Sequence, residues 1–183
     1  ALGFTKPEIA DEFYGKESYS FDIKTGKWKT KFNPENYKAK NFSEEVVDFK
    51  TGNTVIKLGD KINYLTAKKL ATDGLKDILV SQETLYGKYL HRDVMVSEDE
   101  EGVFAIGTEL NNEIIKQILE ANISSIEISI TNSINKGPYL LTTLLNDKNN
   151  NKDDAITEIY KVLRPGEPPT VEIATQIFNN LFF

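Results

Sequence analysis

An internal duplication constrains this chain more than any other feature of its sequence. One copy runs from about residue 46 to 80, and the second runs from about 93 to 130. Placing Gly59 on Gly107, an offset of 48 residues, aligns positions of the same chemical type. The aligned pairs are Ile62 with Leu110, Asn63 with Asn111, Leu70 with Ile118, Gly74 with Asn122, Leu75 with Ile123 and Ile78 with Ile126. The repeat predicts two units of similar fold.

Each copy contains the signals of a β-β-α-β unit. A turn glycine predicts an opening hairpin, and a second glycine predicts its end. An Asn after an apolar residue predicts a helix N-cap. A Gly or Asn then predicts the helix C-terminus, because these residues tolerate the left-handed conformation. In the first copy the signals are Gly52, Gly59, Asn63, a helix at 64–73 and Gly74; in the second they are Gly102, Gly107, Asn111, a helix at 112–121 and Asn122. Two unrelated β-β-α-β stretches are the alternative.

The chain ends have a different, mainly helical pattern. Pro7 favours the first turn of a short helix near the start, and a glycine turn at 25–27 predicts a hairpin within 19–32. The polar stretch 146–154 predicts a loop, after which Asp153 would cap a helix from 154 to about 163. Pro165 ends that helix near Arg164, since proline disfavours the helical conformation of the preceding residue. Thr170 then predicts the cap of a last helix from 171 to about 181, with an apolar face formed by Val171, Ile173, Ala174, Ile177, Phe178 and Leu181.

Composition limits the classes of function. The net charge of −6 and the pI near 5.0 argue against free-standing binding to nucleic-acid phosphates. The absence of cysteine excludes disulfides and thiolate chemistry and is compatible with a reducing cytoplasm. No apolar run approaches the roughly 20 residues of a membrane span, so no membrane partner is expected. The 183 residues suit one domain, or a small domain with a large insertion. A start without Met and an end on Leu-Phe-Phe predict an excised fragment.

The C-terminal residues carry a family resemblance. The run 158–170 reads Glu-Ile-Tyr-Lys-Val-Leu-Arg-Pro-Gly-Glu-Pro-Pro-Thr and resembles a run in the β subunits of bacterial DNA-directed RNA polymerase. Matches that extend the resemblance are Gly137-Pro138-Tyr139 with Thr143-Leu144 and Asp147, Phe178 with Leu181-Phe182-Phe183, and Ala1-Leu2-Gly3 with Ile9 and Phe13-Tyr14. Val47-Asp48, Thr51-Gly52, and Gly87-Lys88-Tyr89-Leu90 with Asp93 resemble the alphaproteobacterial form of an insertion in this subunit. Val171 departs from the family, where arginine is frequent.

The resemblance implies an α+β fold with two parts. Residues 1–16 and 132–183 would form a small, mainly helical portion of the β-subunit lobe, built from both chain ends. Residues 17–131 would form the insertion, made of two tandem β-β-α-β units. The whole would be a segment of an enzyme, a nucleotidyltransferase, located in the cytoplasm with the nucleoid.

The resemblance also implies a site. The lobe forms part of one pincer around the DNA channel, and the loop formed by Arg164, Pro165, Gly166, Glu167, Pro168, Pro169 and Thr170 resembles the gate loop that points across this channel. Implied partners are the β′, α and σ subunits, DNA in the assembled enzyme, and a NusG-like elongation factor that bridges to the loop. Arg164 could contact phosphate or bases, or it could pair with Glu167 and the helix dipole.

No residue pattern indicates catalysis. Mg²⁺, and Zn²⁺ as a further candidate, would be bound elsewhere in the polymerase, so no cofactor is expected in this chain. His91 is the only histidine, and we expect a surface or strand residue instead of a metal ligand. The acidic run 97–101 predicts a solvated hairpin tip instead of a calcium loop. The stretch 27–31 predicts a strand that buries Trp28 and leaves its lysines in water, not a nucleic-acid patch. An insertion that serves mainly as a protein-interaction module is the alternative function, and an independent small enzyme is disfavoured.

Overall fold

The computed structural model describes residues 1–37, 40–41, 45–57, 59–97, 102–132, 136–149 and 151–183. Its helices are α1 (Lys6–Phe13), α2 (Tyr64–Thr72), α3 (Asn112–Glu120), α4 (Tyr139–Asn146), α5 (Lys152–Leu163) and α6 (Val171–Phe182). Its strands are β1 (Lys16–Asp22), β2 (Lys27–Lys31), β3 (Lys40–Asn41), β4 (Val46–Asp48), β5 (Thr54–Ile56), β6 (Lys61–Ile62), β7 (Asp77–Val80), β8 (Val94–Met95), β9 (Val103–Phe104) and β10 (Ser125–Ser129). Short 3₁₀ turns occur at Pro34–Tyr37 and Gln82–Leu85. The predicted α+β class is confirmed.

Six strands form one antiparallel sheet in the order β10-β1-β2-β7-β4-β5. The predicted hairpin is present as β1 and β2, with Gly26 in the left-handed region at φ 66° in its turn. This hairpin separates the two strands that close the repeat copies, β7 and β10. Both copies therefore contribute to a single sheet instead of forming two separate ones.

The predicted helix signals of the repeat are confirmed. The Asn63 side chain accepts a hydrogen bond from the Thr66 N–H, and the Asn111 side chain accepts one from the Ile114 N–H. Each such cap contributes about 1 kcal/mol. At the other helix ends, Gly74 has φ 106° and Asn122 has φ 58°. Asn122 is the one described residue other than glycine with a positive φ, as expected for a position where the chain must turn left-handed.

The duplication reaches further upstream than the sequence predicted. The two 3₁₀ turns lie 48 residues apart. Strand β7 follows β2 by about the same interval, and β10 follows β7 by 48 residues. Buried positions recur with it: Thr30, Ile78 and Ile126 correspond, as do Phe32, Val80 and Ile128. Even the pairing between β3 and β6 has a counterpart, the single bridge between Tyr89 and Glu109. The duplicated unit thus begins with a strand and a 3₁₀ turn before its hairpin and helix, and the two units start near residues 29 and 77. Strand β7 both closes the first unit and opens the second, and β10 closes the second.

One sequence prediction about a helix cap is wrong. Helix α5 begins at Lys152, and its N-cap is Asn151, whose side chain accepts a hydrogen bond from the Asp154 N–H at 2.9 Å. Asp153 lies inside the first turn, where its charge favours the positive end of the helix dipole. Both residue types cap well, so the sequence offered two adjacent candidates for one position.

Buried apolar residues form three clusters. The largest belongs to the sheet, α2 and α3, and has the fully buried Trp28 within it. A second cluster joins α1 and α4 to the second repeat copy through Ala10, Tyr14, Ile106, Leu141 and Leu144. The third lies between α5 and α6 and consists of Ile156, Tyr160, Ala174 and Phe178. The division at residues 16 and 132 stays a prediction, and the second cluster has members on both sides of it.

The second repeat copy packs closely against α4 at Gly107. This glycine has φ 87°, and a Cβ atom there would lie 2.4 Å from the Leu141 carbonyl oxygen. Its counterpart in the first copy, Gly59, has nearly the same backbone angle, φ 84°, but no described residue lies within 4 Å of the corresponding Cβ position. Gly107 therefore meets two constraints, backbone conformation and close packing, whereas Gly59 meets only the first.

Substituting these two glycines separates the two constraints. We expect Gly59→Ala to lower the free energy of unfolding by roughly 1–2 kcal/mol, the cost of a left-handed conformation at a residue with a Cβ. Gly107→Ala should cost about 1–3 kcal/mol more, because the new methyl group displaces α4. Urea unfolding followed by the fluorescence of Trp28, the only tryptophan, measures both. Equal losses in the two variants would contradict the packing role of Gly107.

Candidate functional site

The predicted gate loop connects α5 to α6 and begins where α5 can no longer continue. Arg164 leaves the helical conformation, with φ −132° and ψ 72°, while its N–H still donates to the Tyr160 carbonyl oxygen. Pro165 follows, and Gly166 has φ 91° with nothing within 4 Å of its Cβ position. The Glu167 N–H donates to the Arg164 carbonyl oxygen at 3.4 Å and closes a tight turn. The first half of the loop therefore has a defined shape.

Glu167 fixes this turn to the underlying helix pair. Its carboxylate accepts a hydrogen bond from the Tyr160 hydroxyl at 2.9 Å and contacts the Arg164 guanidinium at 3.5 Å. Tyr160 is only 3% exposed and belongs to the cluster between α5 and α6. The hydrogen bond to the Glu167 carboxylate, reinforced by burial, raises the pKa of the Tyr160 hydroxyl. The loop is thus anchored at its centre through a buried aromatic side chain.

The outer surface of the loop is open. The side chain of Arg164 is 55% exposed, and residues 164–168 are all exposed. Pro168 and Pro169 have fixed φ angles, so this part of the loop loses little conformational entropy on docking. Thr170 caps α6, as predicted, by accepting a hydrogen bond from the Ile173 N–H at 3.4 Å. The seven predicted residues thus form one preshaped loop, exposed except for the half-buried Pro169.

Arg164 forms the ion pair that the sequence offered as an alternative to a channel contact. An exposed pair of this kind contributes about 1 kcal/mol or less. Its guanidinium has five N–H donors, and the contact with Glu167 engages one nitrogen. The ion pair and a contact with DNA are therefore compatible, and the role of this loop in a DNA channel stays a prediction.

Two other stretches singled out in the sequence have different outcomes. The strand and the full burial of Trp28 are confirmed. The prediction of solvated lysines fits only Lys31, because Lys27 and Lys29 are half-buried and Lys29 pairs with Asp77 at 3.5 Å. The acidic run 97–101 lies outside the described residues from 98 onward. Within the described ranges, no group of three or more His, Cys, Asp or Glu side chains is arranged to hold a metal ion.

The expectation that His91 is a surface or strand residue is wrong, because it is buried and lies in a bend between Leu90 and β8. His91 is 0% exposed and links the two parts of the chain. Its Nδ1 atom lies 2.8 Å from the Ser129 hydroxyl on β10, and its Nε2 atom lies 3.0 Å from a carboxylate oxygen of Asp11 on α1. The second Asp11 oxygen, Oδ2, accepts a hydrogen bond from Arg92, and the Lys16 ammonium lies 3.5 Å from the first, Oδ1. Sequence offered no signal for this network, because its members are distant along the chain.

The same network perturbs the carboxyl group of Asp11. The hydrogen bond from His91, together with the charges of Arg92 and Lys16, lowers the pKa of Asp11 from 3.8 to about 2. Asp11 thus stays ionised well into the acidic range. It connects α1 to the second repeat copy by polar contacts, next to the apolar contacts of Ile106 and Leu141.

Comparison with known proteins bears on the whole chain. No protein-family model matches it. The DNA-directed RNA polymerase β subunits of Rickettsia felis, Rickettsia conorii and Rickettsia prowazekii are each 37% identical to it over 183 residues, which is 100% of this chain. The resemblance to bacterial RNA polymerase β subunits is confirmed.

The match with the β subunits agrees with one finer feature of the sequence resemblance. Rickettsia belongs to the alphaproteobacteria, the group whose insertion the repeat resembles. The chain spans 13% of the length of these β subunits, so the comparison concerns one segment of a much larger protein.

Among the described residues, no helix combines the length and the apolar character that crossing a membrane requires.

Acid titration tests the contact between α1 and the second repeat copy. The folded-state pKa of Asp11 lies below its unfolded value, so its contribution to stability is present above about pH 3.8 and is lost as the pH falls toward about 2. We expect Asp11→Asn to flatten the pH dependence of the free energy of unfolding in this window. Urea unfolding at a series of pH values measures the slope. Glu12→Gln, an exposed neighbour on α1, is the control and should keep the wild-type slope.

An unchanged slope in the Asp11→Asn variant would contradict the assignment. Direct titration of the Asp11 carboxyl by NMR gives a second readout. A midpoint near 3.8 in the folded protein would show that the contacts with His91 and Arg92 do not act on this group.

Proposed function

We propose that this chain acts as a segment of the β subunit of a bacterial DNA-directed RNA polymerase. The observation that carries the proposal is 37% identity to Rickettsia β subunits along the whole chain. A match of this extent includes both the helical chain ends and the duplicated part, so it supports placing them in one subunit. The chain would then work in the cytoplasm with the nucleoid, assembled with the β′, α and σ subunits.

The segment contributes structure instead of reacting groups. Nucleotidyl transfer belongs to the assembled polymerase, with Mg²⁺, and Zn²⁺ as a further candidate, bound elsewhere in it. Residues 1–16 and 132–183 form part of the lobe, which lines the main DNA channel as one side of a pincer. The second apolar cluster and the contact between Asp11 and His91 support a rigid joint between this portion and the duplicated part.

The loop from Arg164 to Thr170 acts as the gate loop of this lobe. Its exposure, its two consecutive prolines and the anchor between Glu167 and Tyr160 support a preshaped docking element. The exposed guanidinium of Arg164 supplies the charge that a contact with DNA or with a NusG-like elongation factor needs. Because the chain as a whole has a net charge of −6, such contacts depend on placement within the enzyme.

The duplicated part, residues 17–131, is an insertion that serves as a structural or regulator-docking module. Its two copies share a core and a sheet, which supports a structural role. The net charges of the two copies differ, +4 for residues 29–76 and −7 for residues 77–124, which supports a docking role for one of them.

Substitution of Arg164 in the assembled polymerase tests the role of the loop. We expect Arg164→Ala to leave basal RNA synthesis within about twofold, because the residue touches no reacting atom, and to reduce the effect of a NusG-like factor on pausing by about tenfold. Lys161→Ala is the matched control, since Lys161 is an exposed cation one turn earlier that pairs with Glu158 in the same way. Measured pause lifetimes with and without the factor give both numbers.

Two results would contradict the role of Arg164. One is an unchanged response to the factor in Arg164→Ala. The other is loss of basal synthesis in an enzyme that assembles normally, which would mean that the loop takes part in the core reaction.

A further inference from the structure

The exposed face of α2 differs from the equivalent face of α3, although the two helices occupy the same place in the repeat. Leu65, Lys68, Lys69 and Thr72 lie on one face of α2 and are all exposed. The side chain of Leu65 is 73% exposed. None of these four residues takes part in the burial of α2, which rests on Ala67 against the sheet core. The packing of α2 therefore does not restrict which residues stand at these four positions.

The corresponding face of α3 has the character of a solvated helix. The equivalents of the four α2 residues are Glu113, Lys116, Gln117 and Glu120. Lys116 and Glu120 pair at 3.7 Å, one turn apart. In α2 the place of Glu113 is taken by Leu65, and Lys69 replaces Gln117. The part of the chain that the structure describes provides no ion pair for Lys68 or Lys69.

The net charges of the two copies differ in the same sense as their helix faces, with the first copy the more positive. Residues 29–76 contain ten Lys and six Asp or Glu, a net charge of +4, while residues 77–124 contain three Lys or Arg and ten Asp or Glu, a net charge of −7. The second copy also packs against α1 and α4, through Gly107, Ile106 and His91. The first copy thus combines a net positive charge with an exposed helix face.

We infer that the α2 face, formed by Leu65, Lys68, Lys69 and Thr72, is a docking surface for an acidic protein segment with an apolar anchor. Leu65 provides the apolar contact, and the two lysines beside it attract carboxylates and exclude basic partners. The inference rests on the proposed docking role of the insertion and adds to it the surface and the chemistry of the partner.

A protein segment fits this face better than nucleic acid does. Single-stranded nucleic acid is bound by aromatic side chains that stack on bases, together with cations that follow the backbone. The centre of the α2 face is an aliphatic side chain with two cations, and its exposed residues include no aromatic group. Interfaces between proteins, in contrast, have an apolar centre with charges at the rim.

The repeat itself provides the experiment. The probe is a short fluorescein-labelled peptide rich in glutamate, with leucines at helical spacing, titrated with the 183-residue chain and followed by fluorescence anisotropy. We expect Leu65→Glu combined with Lys69→Gln, which copies two of the three positions where the α3 face differs from the α2 face, to weaken binding by about tenfold. The reverse exchange, Glu113→Leu with Gln117→Lys on α3, should create a second site and raise the amount of peptide bound at saturation.

Two further probes decide the chemistry of the partner. A peptide with serine in place of leucine should bind about tenfold more weakly, and a single-stranded DNA oligonucleotide should bind more weakly than the leucine peptide. All four exchanged positions are exposed, and circular dichroism melts check that each variant stays folded.

The inference is overturned if the Leu65→Glu, Lys69→Gln variant binds the leucine peptide as the wild type does. It is also overturned if DNA binds more tightly than the peptide, or if sedimentation shows that the face mediates self-association of the chain. Because these measurements use no polymerase, their failure leaves the gate-loop proposal to its own test.

Discussion

The rest of the structure depends on the pairing of hairpin β1-β2 with the closing strands of both repeat copies. Strand β10 pairs with β1, and β7 pairs with β2, so the hairpin completes a continuous antiparallel sheet. Trp28 on β2 is fully buried in a core to which both α2 and α3 contribute through Ala67 and Ile115. Without the hairpin, two units of about 48 residues would each have a small core, and domains of that size are marginally stable.

The shared sheet allows the two copies to diverge at their surfaces. The second copy uses Gly107 and His91 to contact α4 and α1, and this joint connects the duplicated part to helices from both ends of the chain. The first copy makes no comparable close contact at Gly59 with the described residues, and one face of its helix α2 is exposed. At the far end of the chain, Glu167 and Tyr160 hold the loop by the same means, a polar contact to a buried side chain.

Sequence predicted the local features because they depend on short-range chemistry. The caps at Asn63 and Asn111, the left-handed stops at Gly74 and Asn122, and the Thr170 cap each depend on a few neighbouring residues. The boundaries and conformation of the loop follow from its prolines and glycine in the same way. The family resemblance came from a dense run of such residues around this loop.

Contacts between residues that are distant along the chain could not be predicted from local sequence patterns. The placement of the hairpin between β7 and β10 requires long-range pairing, which no short pattern specifies. The polar partner of His91 is Asp11, 80 residues away, so the sequence around this histidine indicates no partner for it. The sequence does not indicate the upstream part of the repeat, because its equivalent positions, such as Thr30 and Ile78, agree in burial but not in residue type.

Native-state hydrogen exchange tests the central claim, that one hairpin unites both copies in a single cooperative sheet. The measurement compares amide protection in β7 and β10 between the wild type and Trp28→Leu, which leaves part of the core volume empty. We expect the free energy of exchange to fall by the same amount in both strands, although only β7 pairs directly with β2. A loss of protection confined to β7, with β10 unchanged, would contradict it.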